Sequence, residues 1–70
     1  MFERYAKVED CGNGFGWSIL HCKEDGIYEI AALRGGKVWT NTVVHDAETG
    51  FPIRGSWAVI VQVMVKIVQL

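Results

Sequence analysis

The sequence predicts one small all-β domain spanning residues 1–70, an antiparallel meander or a partly open five-stranded barrel of the SH3 or OB kind. Three observations carry that expectation. Turn clusters recur at short intervals, at Asp10-Cys11-Gly12-Asn13-Gly14, Lys23-Glu24-Asp25-Gly26 and Gly35-Gly36, as they do between the strands of all-β chains. The stretches between and after them, 15–22, 27–33 and 37–44, are rich in β-branched and aromatic residues, which suit a pleated, half-buried surface. Half of the 70 residues are hydrophobic and only 21% are charged, so there is material for a core and no resemblance to a disordered tail.

The elements follow in order. Residues 2–9 alternate, with Phe2, Ala6 and Val8 on one side and Glu3, Lys7 and Glu9 on the other, and read as a strand whose alternation breaks at Arg4 and Tyr5. The next three strands form a meander whose register the turns fix. Pairing Cys22 with Ile27 sets Trp17 opposite Ala32 and Ile19 opposite Ile30. Pairing Arg34 with Lys37 across Gly35-Gly36 sets Ala32 opposite Trp39 and Tyr28 opposite Val43. Side chains alternate between faces. One face therefore carries Trp17, Ile19, His21, Tyr28, Ile30, Ala32, Trp39, Asn41 and Val43, and is the expected core. The other carries Ser18, Leu20, Cys22, Ile27, Glu29, Ala31, Leu33, Val38, Thr40, Thr42 and Val44. It is mixed rather than polar, so each face calls for a cover. A longer loop runs over 45–55 and holds the only proline, Pro52.

The last fourteen residues support two readings. Val59, Val61, Val63, Val65 and Ile67 stand two apart, the period of a strand, and the all-β reading takes 57–70 as one long strand. The alternative is an α+β domain, a three-stranded antiparallel meander with a C-terminal helix over 56–70. Its support is that Gln62, Lys66 and Gln69 recur at helical spacing behind Ser56, a residue suited to an N-cap. On either reading the segment is apolar nearly all round, and seventy residues cannot wrap it. An apolar surface of that extent marks an interaction site, and small domains commonly gain stability by association. A homo-oligomer or a tightly held protein partner is expected. The run is too short and too polar to span a bilayer, and no membrane association is expected. Charges stand near the N-terminus where a signal peptide needs an apolar run. The expected location is cytoplasmic, with Cys11 and Cys22 as free thiols.

The chemistry-bearing residues form no constellation. Gly12-Asn13-Gly14-Phe15-Gly16 has the look of a phosphate-cradling loop, but Trp17 stands where the third glycine of a dinucleotide fingerprint belongs; a hairpin loop or bulge is the expected role. Cys11, His21, Cys22 and His45 match the ligand count of a zinc site but not its spacing. Ser18 and Ser56 lack the context of a nucleophile, and the carboxylates fall in turns. No cofactor, metal or catalytic residue is nominated, and no enzyme is expected. A net charge of −1 also lacks the basic excess of most duplex DNA binders.

Lys7, followed by Gly14-Phe15-Gly16-Trp17, resembles the first RNA-binding motif of cold-shock domains, over about a sixth of the chain. That resemblance implies a five-stranded OB-type barrel that stacks single-stranded nucleic acid on Phe15, Trp17 and Tyr28, with Lys7 and Lys37 supplying positive charge. The chain departs from the pattern in two places. Asn13 stands where the family has a lysine, and Ile27-Tyr28-Glu29-Ile30 replaces the second, aromatic motif.

The residues favour a small non-enzymatic protein-interaction module, an adaptor or inhibitor that occupies a partner surface. Its nominated contact residues are Phe15, Trp39, Trp57, Val61, Val65 and Val68. Bacteriophage and mobile-element accessory proteins include many compact domains of this class, which is an analogy and not a motif. An OB-like single-strand binder is the alternative function. A ligand-carrying barrel with Trp17, Tyr28 and Trp39 as pocket walls is a third.

Overall fold

Two tight turns organise the sheet. The two-residue connection Gly35-Gly36 has φ of 60° and 80°, the doubly left-handed backbone that a twisted hairpin requires and that glycine adopts without penalty. In the computed structural model, which describes residues 1–39 and 53–70, the strands are β1 (Phe2–Val8), β2 (Phe15–Cys22), β3 (Ile27–Arg34), β4 (Lys37–Val38) and β5 (Ile53–Gly55). They are followed by the helix α1 (Trp57–Val68). The sheet is antiparallel, with β1, β2, β3 and β4 in sequence and β5 paired further along the same edge of β3 that β4 uses. Cys22 lies opposite Ile27, Trp17 opposite Ala32, Ile19 opposite Ile30 and Arg34 opposite Lys37, as the turns predict. The Trp39 amide reaches the Ala32 carbonyl at 2.8 Å, continuing that register.

The C-terminal segment is the principal correction to the favoured reading. Residues 57–68 are helical, not a strand, so the α+β alternative is the one that forms, on a sheet of five strands. Length and cover explain the outcome. Fourteen extended residues would run roughly 46 Å, beyond the 33 Å longest dimension of the molecule. Twelve helical residues take about 18 Å, which fits within the roughly 26 Å of the eight-residue strands β2 and β3. The helix lays Ile60, Val63 and Ile67 on Ile19, Ile30 and Ala32, and these six form the core. Burial on this scale overrides the few tenths of a kcal/mol per residue that β-branching costs a helix. Ser56 sits at the N-cap with extended backbone, as expected, but its side chain makes no capping bond; its carbonyl accepts from Val59 and Ile60.

Three further expectations change. Gly55 lies opposite Tyr28 on the edge assigned to Val43, because Ile53–Gly55, expected to be loop, adds a short strand there. Thr40, Asn41, Thr42, Val43, Val44, His45 and Pro52 lie outside the described residues. Among the described residues nothing pairs with the outer edge of β1, and the face that a barrel would curl around is covered by a helix. The broken alternation at Arg4 and Tyr5 proves to be a β-bulge. Arg4 faces Leu20 and Ala6 faces Ile19, with Tyr5 the extra residue. The bulge changes the phase of β1, so Phe2 shares a face with Cys22 while Ala6 and Val8 share one with Ile19 and Trp17.

On the face away from α1, Cys22 and Leu33 are buried. Arg54 and Phe2 stand on strands separated by β2 and β3, yet the guanidinium carbon lies 5.1 Å from the Phe2 ring. Its Nε donates to Glu29 Oε2 at 2.6 Å. Together they span that face near the end where β1 begins. Gly16 is fixed by space: a Cβ there would collide with the Val8 and Glu9 carbonyls, so β1 and β2 can cross closely only over a glycine.

Ile60 has no exposed surface. Truncation in Ile60→Ala is expected to cost about 2–5 kcal/mol, a large share of the stability of a domain this size. Urea denaturation read by far-UV circular dichroism measures it; a loss below about 0.5 kcal/mol would contradict burial of the helix on the sheet.

Candidate interaction surface

The three core contacts of α1 leave the rest of the helix outward. Trp57, Val61, Val65 and Val68 are 40%, 37%, 49% and 56% exposed. Their spacing of four, four and three places them along one side of the helix. The polar residues Gln62, Lys66 and Gln69 occupy the other side of the outward half. Four of the six nominated residues therefore form one continuous apolar stripe. Beside it lies a shallow groove of about 360 Å³, lined by Trp17, Val61, Met64, Val65, Val68 and Gln69. Trp17 comes from β2 and makes the wall of the groove on the sheet side. Leu70, 45% exposed, extends the apolar surface past the helix end.

Phe15 and Trp39, the other two nominated residues, stand together. Their ring centroids are 4.9 Å apart, and the Arg34 guanidinium lies 5.6 Å above Phe15. Both rings pack against the core, so they form an edge beside the groove rather than part of the stripe.

The helix begins in a second aromatic group. Tyr5, Tyr28 and Trp57 meet edge to face with centroids 5.1–5.5 Å apart, and His21 stacks on Tyr28 at 4.4 Å. Rings this close are in contact, each pair worth about 0.5–1.5 kcal/mol beyond area burial, and no ligand fits between them. The bulge that projects Tyr5 onto this face is what lets β1 join the start of α1.

The helix ends on the glycine loop. Asn13 Nδ2 donates to the carbonyls of Ile67 at 2.9 Å and Val68 at 3.2 Å, among the last carbonyls of the helix; that of Ile67 also accepts from the Leu70 amide at 3.2 Å. The loop is folded for that task. Asp10 Oδ1 accepts from the Gly12 amide at 2.7 Å and the Gly14 amide at 3.0 Å, while Asn13 Oδ1 accepts from Phe15 N at 3.0 Å and Cys11 Sγ at 3.2 Å. The amides that could cradle a phosphate are already taken by the chain's own carboxylate. The Gly12 amide first, and the Gly14 amide next, hold the Asp10 carboxyl below its ordinary range.

The residues of the nucleic-acid reading do not come together. Phe15, Trp17 and Lys37 lie toward one end of the helix-bearing face, and Tyr28 lies in the aromatic group at the other. Lys7 points to the opposite face, level with Ser18, and pairs with Glu9 at 3.5 Å. Nor do Trp17, Tyr28 and Trp39 enclose a common pocket: only Trp17 lines the groove. Cys11 and Cys22 are free and stand at opposite ends of β2. Among the described residues no helix is long and apolar enough to cross a membrane, and no three His, Cys, Asp or Glu side chains gather as metal ligands would. Compared with protein-family models, curated proteins and solved structures, the chain has no significant match.

Two outcomes test the loop. Asn13→Asp puts a carboxylate against two carbonyls at the negative end of the helix. It is expected to cost about 1–3 kcal/mol, more than Asn13→Ala; equal stability of the three proteins in urea would remove the clamp. Asp10 has a lower pKa folded than unfolded, so its stabilisation is present above the unfolded value of about 4 and is lost as pH falls through the folded value. The stability gap between wild type and Asp10→Asn should therefore be widest near neutrality and narrow in acid. A gap that does not change with pH would contradict it.

Proposed function

We propose that this chain is a non-enzymatic protein-interaction module that works by presenting the outer side of α1 to a protein surface. The observation that carries the reading is the stripe of Trp57, Val61, Val65 and Val68 beside the Trp17 groove. The stripe contains no charge, so covering it buries apolar area at about 25 cal/mol per Å² without desolvating an ion. A tryptophan at one end and a groove alongside supply the anchor and socket of a protein contact. The free thiols suit a reducing, cytoplasmic setting. An adaptor and an inhibitor would both use such a face, and the identity of the covered partner distinguishes them.

Affinity capture from a lysate of the native host, treated with nuclease, tests the reading. The wild-type chain should retain a protein that Val65→Asp holds at least about tenfold less well, a difference of about 1.4 kcal/mol. Equal retention by both chains would sink the proposal. Loss of the captured material to nuclease would favour nucleic-acid binding instead.

A further inference from the structure

We infer that the occupant of the α1 stripe is a second copy of this chain, set antiparallel across a two-fold axis that passes between Val61 and Val65. The inference rests on the reading that this face docks protein, and it names the partner. Three observations support a copy over an unrelated protein.

The first is the pattern of the helix. Trp57, Val61, Val65 and Val68, with Met64 beside Val65, recur every three or four residues, the spacing with which one helix packs along another. Lys66 is the only charged residue of α1 and lies off the stripe. A two-fold contact sets each patch against itself, and an uncharged seam can do that without opposing like charges.

The second is the charge at the two ends of the molecule. Where α1 begins, the sheet end carries Glu3, Glu24 and Asp25; Lys23 pairs with Glu3 and the Met1 amine with Glu24, each at 3.3 Å, which leaves an acidic excess. Where α1 finishes stand Arg34, Lys37 and Lys66 with two carboxylates, Asp10 and Glu9, and Glu9 already pairs with Lys7 at 3.5 Å. Turning a copy end for end brings the acidic end of each over the basic end of the other. A parallel pair would set like against like, which is costly at close range.

The third is size. A standard interface covers about 800 Å² on each partner, and a helix about 18 Å long offers less. The contact must extend to Tyr5 at one end and Leu70 at the other, which are 54% and 45% exposed and lie beyond the two ends of the stripe. Contacts at the small end of the range are commonly weak and transient, so a dissociation constant of about micromolar order is expected.

Sedimentation velocity across about 1–200 µM tests the inference. The wild-type mass should rise from the 7.8 kDa of one chain toward twice that value. Val61→Asp and Val65→Lys should each stay monomeric with unchanged far-UV circular dichroism, because both residues are exposed in a single copy. Mixed one to one, the two variants should recover dimers, since residue 61 of one copy meets residue 65 of the other only when the helices are antiparallel. A wild-type chain that stays monomeric throughout overturns the inference and leaves the capture experiment to decide the function. Single variants as dimeric as wild type would move the contact to another face. Monomeric singles whose mixture also stays monomeric would overturn the antiparallel arrangement.

Discussion

Ile60, Val63 and Ile67 close over Ile19, Ile30 and Ala32, and most other features of the molecule follow from that contact. The helix can cover the sheet only if it starts at the end where Tyr28 and Gly55 pair and finishes at the end where β2 begins. Both ends are then tied down by groups brought from far along the chain. At the start, the β1 bulge turns Tyr5 onto Tyr28 and Trp57. At the finish, Asn13 takes the last carbonyls across 54 residues of sequence. Neither tie would have a target without the core contact between them.

The same contact determines what is left outside. A helix has more circumference than one sheet face can cover, and in α1 one side of the uncovered part is apolar, formed by Trp57 and three valines. Three residues facing inward suffice for the core, so Val61, Val65 and Val68 contribute little to holding one copy together, while Trp57 contributes only through its edge contacts with Tyr5 and Tyr28. An apolar side that the fold does not use is the physical basis for an interaction module. The Asn13 clamp has a bearing on it too, because it holds the helix end that carries Val68 and bounds the groove.

Much of the sheet was legible in the sequence. The two glycine turns fixed the register of β2 against β3 and of Arg34 against Lys37, since a one-residue slip would have turned Ile19 and Ile30 out of the core. The bulge left a visible trace in the misplaced Arg4 and Tyr5. Other parts were not legible for physical reasons. Val59 to Ile67 satisfies both a period of two and a helical spacing, and only the sheet face in need of cover decides between them. β5 is three residues long, too short to show any period. The role of Asn13 depends on the position of a helix that propensity does not favour. The four stripe residues prove to be exposed, whereas the strand favoured for the segment would have put Trp57, Val61 and Val65 on one face with Val59 and Val63.

That difference gives the most direct measurement. A soluble paramagnetic probe in NMR reports the solvent access of each methyl group over residues 59–68. Burial in α1 predicts protection of Ile60, Val63 and Ile67, at intervals of three and four, with Val61, Val65 and Val68 broadened at concentrations where the chain is a monomer. Protection that alternates along the segment, with Val61, Val63 and Val65 shielded alike, would contradict the helix and with it the surface it presents.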